Sequence, residues 1–381
     1  MPFTAILYLN ARPYQVAFLT TADILAGICF ALFAGVWADR LKRRPIMIAA
    51  DLGRAAIIGS IPAAAWFGAL RIEQLYAVAF LAGILTTFFD VSYQSYLPTL
   101  IDRQQLIDGN SKLAASESVA EFGSFSVAGW LVQLVTAPGA MAVDALSFLF
   151  SAASLLTIRM PEAVPAAADA RRSVLTEIVE GMHTLWQDSR LRAIAASRVA
   201  FSAGAGMFGA VIVLFVTRDL EFPPGAQGLI YGIGGLTSLA GAASAGWFRR
   251  RVGAGWAMTG GLSCGGIGML LVAAAPHTAA IAATLLIAQQ LISDPGWTIY
   301  NINQTTMRQA IAPHSLLGRV TAAEHFGCLL ATLAASIVAG IVADAAGARF
   351  ALALGACCMF SGALTIFASP LRSRSSFIGS T

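Results

Sequence analysis

The chain has 381 residues, of which 57% are hydrophobic and only 12% are charged, and its formal net charge is +4. A soluble globular chain carries about 25% charged residues and must show much of its surface to water, so this composition excludes an ordinary soluble enzyme or binding domain. The basic residues stand in short loops between apolar segments, which indicates membrane orientation rather than binding of nucleic acid. We therefore predict an all-α integral membrane protein that has the lipid bilayer as a partner.

Eleven segments are long and apolar enough to cross a bilayer, because a hydrocarbon core of about 30 Å needs about 20 helical residues. In chain order these segments are 15–38, 46–67, 74–96, 113–136, 138–158, 191–217, 225–247, 255–275, 278–299, 317–343 and 347–368. Residues 1–9 are apolar but too short to cross. We interpret them as the end of a first helix, and we expect about 20 further apolar residues to be encoded upstream.

The loops between these segments alternate in their content of Lys and Arg. The loops in the set that begins with 39–45, together with the C-terminal tail, hold 18 of these residues, and the other loops hold four. Because positive charge marks the cytoplasmic side, the first set is predicted to be cytoplasmic, and the C-terminus with it.

The segments group into two bundles separated by the longest polar stretch. We predict an N-terminal helix bundle at 1–158 with a truncated first helix, a cytoplasmic linker at 159–190, a C-terminal helix bundle at 191–369 and a cytoplasmic tail at 370–381. From Ser173 the linker has the pattern of an amphipathic helix. Its predicted apolar side carries Ile178, Met182, Leu185 and Trp186.

The two bundles resemble each other. Gln94 and Gln304 lie 210 residues apart in similar surroundings, and Gly35 and Gly246 begin two charged loops at nearly the same separation. Parallel repeats of this kind are typical of one large class of secondary transporters.

The charged loop GVWADRLKRRP resembles the loop between helices 2 and 3 of the major facilitator superfamily, whose pattern is roughly G-x-x-x-D-R-x-G-R-R. Five residues fall on that pattern, namely Gly35, Asp39, Arg40, Arg43 and Arg44. Further stretches, among them FFDVSYQSYLPTLI (88–101) and RQAIAPHSLLGRV (308–320), are similar to the enterobactin-exporter and macrolide-efflux-like branch of the drug:proton antiporters. The resemblance covers residues 1 to about 372.

This resemblance implies the major facilitator fold, with two six-helix bundles related by pseudo-two-fold symmetry and with most of the first helix missing. It also implies a secondary transporter, a monomer of the cytoplasmic (inner) membrane, that exports hydrophobic small molecules such as a drug or a siderophore by alternating access, coupled to protons or another ion. The alternatives are a facilitator or importer of the same fold, or a membrane sensor or scaffold that does not transport.

The resemblance further implies that Gly35, Asp39, Arg40, Arg43 and Arg44 form a gating latch. A carboxylate such as Asp39 at a helix end can interact with a facing helix N-terminus or with arginines, and Gly35 permits close helix approach. The alternative is that these charges only set the membrane topology.

We expect Asp39→Asn to leave membrane insertion intact and to reduce export sharply, because this substitution keeps the side-chain volume and removes only the charge. An export assay at equal protein abundance checks this. Export at the wild-type level would show that the loop is an orientation signal only.

Ionisable residues within the predicted spans are functional candidates, because charge is costly in lipid. The candidates for proton coupling or substrate binding are Asp23, Glu117, Glu121, Arg198, Glu324 and His325. Asp23 is preferred for coupling because it lies near mid-depth, although hydrogen bonding across a helix interface is the alternative. The pair Glu324–His325 lies nearer a span end, where side chains reach the membrane surface more easily.

Other intramembrane charges are interpreted as structural. Asp51 and Arg54 stand three residues apart on one helix face and are predicted to neutralise each other. Asp90 is placed near a span end, and Asp144 is interpreted as a helix-packing anchor.

No pattern for catalysis, a metal or a cofactor stands out in the sequence. The five cysteines lie in apolar segments without CxxC spacing, and the glycine-rich stretch GGLSCGGIG (260–268) has no P-loop pattern. We interpret these glycines as sites of close helix packing and predict that the chain is not an enzyme.

Overall fold

The computed structural model describes residues 1–100, 120, 123–124, 127–158, 174–313 and 316–372, and these residues are helical apart from short connections. The helices whose two ends are defined are α1 Pro13–Arg40, α2 Arg43–Trp66, α3 Ile72–Leu100, α4 Ala137–Thr157, α5 Val174–Gln187, α6 Ser189–Leu214, α7 Pro224–Val252, α8 Ala254–Ala273, α9 Ala279–Ile311, α10 Leu317–Ala346 and α11 Ala348–Phe367. Residues 127–135 are also helical. The predicted all-α fold class is confirmed.

Among the described helices, nine are long and apolar enough to cross a membrane, namely α1–α4, α6–α8, α10 and α11. The predicted span 113–136 falls largely outside the described residues. The predicted span 278–299 forms the first part of α9, a helix of 33 residues. This span is less apolar than the others because it contains the polar residues Gln289, Gln290 and Asp294. The two glutamines are buried within the protein.

The chain divides into two compact units, Met1–Arg171 and Arg172–Thr381. In the first unit α3 packs against α1 and α2, and α2 also packs against α4. In the second unit α6 packs against α10 and α11, α8 packs against α9 and α11, and α7 packs against α9. The helix α5 packs on α10 and therefore lies in the second unit, whereas the sequence analysis had treated 159–190 as a separate linker.

The predicted amphipathic helix is present as α5, but only part of its predicted apolar side is buried. Leu185 is buried in a cluster with Val320 and Ala323, whereas Met182 and Trp186 are exposed. The reason is Gly181, one turn before Leu185, where the backbone of Arg319 approaches so closely that a Cβ atom would collide with it. This glycine decides which side of α5 contacts α10, and Trp186 is left on the outside.

The glycine-rich stretch 260–268 packs closely against neighbouring helices, as predicted. Cβ atoms at Gly261, Gly265 and Gly268 would collide with α9, and a Cβ at Gly266 would collide with Phe360 of α11. In lipid, where no hydrophobic force drives helices together, such close backbone approach supplies van der Waals contact between helices.

Several helices of the second unit follow one another across a single residue. Gly253 and Gly347, both with φ of +91°, join α7 to α8 and α10 to α11 in a backbone conformation that favours glycine. Asp188 caps α6 by accepting hydrogen bonds from the backbone N–H groups of Arg190 and Leu191. The side chain of Arg190 also donates to this carboxylate, which holds the pKa of Asp188 below its ordinary value.

Candidate functional site

A buried carboxylate lies between two arginines in the second unit. Oε1 of Glu324, on α10, is 2.7 Å from Nη1 of Arg308 on α9 and 3.6 Å from Nε of Arg198 on α6. The Glu324 side chain is only 2% exposed. Three helices therefore each contribute one charged group to a single cluster, which we call the Glu324 cluster.

Polar and aromatic neighbours hold Arg198 in this cluster. Its Nη1 donates to Oδ1 of Asn301 at 2.5 Å, and its guanidinium carbon lies 5.4 Å from the centre of the Phe201 ring. The residues that precede Arg198 and Asn301 are also in contact, since the hydroxyls of Ser197 and Tyr300 are 2.9 Å apart. The hydrogen bond to the amide and the contact with the ring together position this guanidinium beside the carboxylate.

The Glu324 cluster has two cations for one anion. Oε1 of Glu324 carries both arginine contacts, while its buried Oε2 accepts no hydrogen bond from any residue that the structure describes. A buried carboxylate oxygen without a donor is costly, so this atom is a place where a proton, a water molecule or a ligand donor would be stabilised.

Sequence reasoning identified two members of this cluster and missed the others. Arg198 and Glu324 were both candidates, but Arg308 was counted only as a loop cation, and Asn301 was not singled out. The expectation that Glu324 reaches the membrane surface is not met, since its side chain points into the protein and is buried. His325 is exposed, because neighbouring residues on a helix point in directions about 100° apart.

The first unit holds a second buried ion pair, which confirms the pairing predicted for Asp51 and Arg54. Nη2 of Arg54 donates to Oδ1 of Asp51 at 2.5 Å, and its guanidinium carbon lies 4.5 Å and 4.4 Å from the ring centres of Phe89 and Phe148. Nη1 of Arg54 contacts the hydroxyl of Thr86 at 3.3 Å. These contacts join α2 to α3 and α4 and support a structural role.

Two further intramembrane acids with described side chains lie near this pair. Asp90 and Asp144 are both within electrostatic range of Arg54. Asp90 is exposed and Asp144 is half-buried. Arg54 is thus a cation shared by acids on three helices.

Of the predicted gating latch, the structure describes the side chains at positions 43 and 44 only. Arg44 donates from Nε to the carbonyl of Leu155 and from Nη2 to the carbonyl of Leu156, both at 2.8 Å. These carbonyls are at the C-terminal end of α4, where the helix lacks its own donors, so Arg44 caps this helix within its own unit. Arg43 is the first residue of α2.

Several predicted site residues lie outside the described side chains or residues. The backbone of α1 is described, but the side chains of Asp23, Gly35, Asp39 and Arg40 are not. Glu117 and Glu121 lie outside the described residues altogether. Their roles stay predictions.

Two units of apolar helices, each with an arginine–carboxylate pair held inside it, define a multi-pass membrane protein with charges in its spans. Comparison with known proteins then gives the family. The model of the Major Facilitator Superfamily matches residues 1–325, and the chain belongs to this superfamily. The family that the sequence analysis named from the charged loop is therefore confirmed.

Individual relatives include proteins named for efflux. Macrolide efflux protein A of Streptococcus pyogenes is 26% identical over 192 residues, 50% of this chain and 47% of that protein, so the chain spans about half the length of this relative. The multidrug efflux pump Tap of Mycolicibacterium fortuitum is 27% identical over 380 residues, 96% of this chain and 90% of that protein. Among solved structures, a mutant of the nucleoside transporter NupG aligns with a TM-score of 0.79 at 12% identity over 96% of this chain and 93% of that one, which is a likeness of fold.

Proposed function

We propose that this protein is a proton-coupled exporter of hydrophobic small molecules in a bacterial inner membrane, with its C-terminus in the cytoplasm. The observation that carries the proposal is the buried Glu324 carboxylate, which lies within a membrane span, has two arginine partners on one oxygen and has no described partner on the other. Transport would follow alternating access, in which the substrate site opens to one side of the membrane at a time.

The Glu324 cluster supplies a physical route to coupling. A buried carboxylate is stable as an anion while cations and donors surround it, and it favours the neutral acid when they withdraw. Because Arg198, Arg308 and Glu324 stand on three different helices, a shift of one helix would change the number of cations near the carboxylate. Proton binding would then depend on the conformation, which is the requirement for a coupled transporter.

The names of the relatives favour a bulky apolar substrate. One relative is named for macrolide efflux and another for multidrug efflux. We therefore place a hydrophobic drug first and a siderophore second among the candidate cargoes. Asp23, which the sequence analysis preferred for coupling, stays a prediction beside Glu324.

Transport into inside-out vesicles tests this proposal. We expect uptake of a radiolabelled macrolide when the vesicle interior is made more acidic than the outside. This uptake should be lost when an ionophore collapses the proton gradient. Equal uptake with and without the gradient would indicate a facilitator. Gradient-driven movement in the opposite direction would indicate an importer, and no transport of any hydrophobic compound at normal abundance would favour a sensor or scaffold.

A further inference from the structure

A deep groove in the second unit lies apart from the Glu324 cluster. It has a volume of about 990 Å³ and is formed by α7, α8, α9 and the segment that follows α11. This volume is at the upper end of the range of about 300–1,000 Å³ for small-molecule sites. The groove is thus large enough for a sizeable apolar ligand.

The walls of the groove are mostly apolar. On α7 the lining runs from Ala240 to Val252, a distance of about 18 Å along a helix axis. This matches the hydrocarbon depth of one leaflet, which is about half of the 30 Å core. Trp256 and Leu291, which also line the groove, are 46% and 54% exposed. The exposed apolar wall therefore has the length and the chemistry of a binding site for an acyl chain.

One end of the groove is cationic. Arg251, in the last turn of α7, and Arg372, just beyond α11, both line it. The two arginines come from segments about 120 residues apart in the chain, so packing of the unit brings them together. They stand where α7 ends and α8 begins, which is the headgroup level of a membrane-spanning hairpin.

The groove combines apolar walls of one leaflet's depth with two arginines at one end. This combination matches a ligand that has acyl chains and an anionic headgroup. We propose that this groove binds an anionic phospholipid, with its acyl chains along α7, α8 and α9 and its phosphate between Arg251 and Arg372. Basic pockets between membrane helices bind lipid headgroups by this charge complementarity. A transported drug would need no anionic group to match the two arginines.

Native mass spectrometry of the full chain released from nanodiscs tests the proposal. The nanodiscs would contain equal amounts of phosphatidylglycerol and phosphatidylcholine, which differ in headgroup charge. We expect retained phosphatidylglycerol to exceed phosphatidylcholine by on the order of 25-fold, because each arginine favours an anionic headgroup by roughly fivefold. Equal retention of the two lipids in the wild-type protein would overturn the proposal, and so would a mass equal to two chains joined without lipid.

Variants separate the headgroup site from the acyl site. In Arg251→Gln/Arg372→Gln we expect the preference for phosphatidylglycerol to disappear, whereas Arg249→Gln, a neighbouring cation that does not line the groove, should keep it. Gly260→Leu should reduce retention of both lipids, since a Cβ at Gly260 meets nothing and a longer side chain would fill the groove. A preference that survives the double substitution, in protein of unchanged thermal stability, would contradict the proposal.

Discussion

Replacing Glu324 by glutamine is expected to reduce proton-driven export to the level seen without a gradient, a loss of about tenfold to a hundredfold. Glutamine keeps the size of the side chain and can still accept a hydrogen bond from Arg308, but it cannot exchange a proton. A hydrogen bond to a charged group contributes about 1.5–3 kcal/mol, and every 1.4 kcal/mol corresponds to about tenfold. Gradient-driven uptake into inside-out vesicles measures the loss.

The controls for Glu324→Gln separate coupling from folding. Glu324→Asp should retain part of the coupling because the charge remains. His325→Gln tests separately the neighbouring, exposed residue, which is also a predicted coupling candidate. Substrate exchange without a gradient should survive in Glu324→Gln. If this variant instead keeps normal proton coupling and only unfolds at a lower temperature, the cluster is a structural link between three helices, and Asp23→Asn becomes the next variant to measure.

Replacing Gly206 by alanine is expected to destabilise the second unit, whereas the same change at Gly209 is not. Both glycines are in α6, so both substitutions gain similar helix propensity, about 1 kcal/mol. A Cβ at Gly206 would stand 2.8 Å from the carbonyl oxygen of Thr332 on α10, while a Cβ at Gly209 meets nothing within 4 Å. Overpacking of this kind costs about 1–3 kcal/mol.

The clash at Gly206 would also disturb two hydrogen bonds between α6 and α10. Ser336 donates to the carbonyl of Gly206 at 3.2 Å, and Thr332 donates to the carbonyl of Ser202 at 3.3 Å. Thermal unfolding in detergent, followed by tryptophan fluorescence, compares the two variants. Equal midpoints for Gly206→Ala and Gly209→Ala would show that α10 can shift away from α6 without loss, and would weaken the argument that helix contact positions Glu324 against Arg198.

Most of the helices could be predicted from the sequence because a membrane span has a simple signature of length and apolarity. The boundaries of α2, α4, α8 and α11 lie within a few residues of the predicted spans. The ion pair of Asp51 and Arg54 was also predictable, since a separation of three residues on a helix places both side chains on one face. Likewise the glycines at 260–268 indicated close packing, because a residue without a side chain has little other use in an apolar helix.

The sequence did not allow us to predict which side of each membrane helix packs against the rest of the protein. In a soluble protein the polar side marks water, but lipid is as apolar as a leucine side chain, so lipid-facing and protein-facing residues look alike. This is why the burial of Glu324 against α6 and α9 was not expected from its position near a span end.

Local sequence fixes the apolar spans, the positively charged loops and the pairing of neighbours on one helix, since these depend on residues close together in the chain. Packing of distant helices brings Arg198, Arg308 and Glu324 to one point and places Arg251 beside Arg372. Such contacts join residues separated by up to about 140 positions, and they arise from the close approach of backbones at glycines such as Gly181, Gly206 and Gly261. The charges were visible in the sequence, and their partners depended on which helix faces meet.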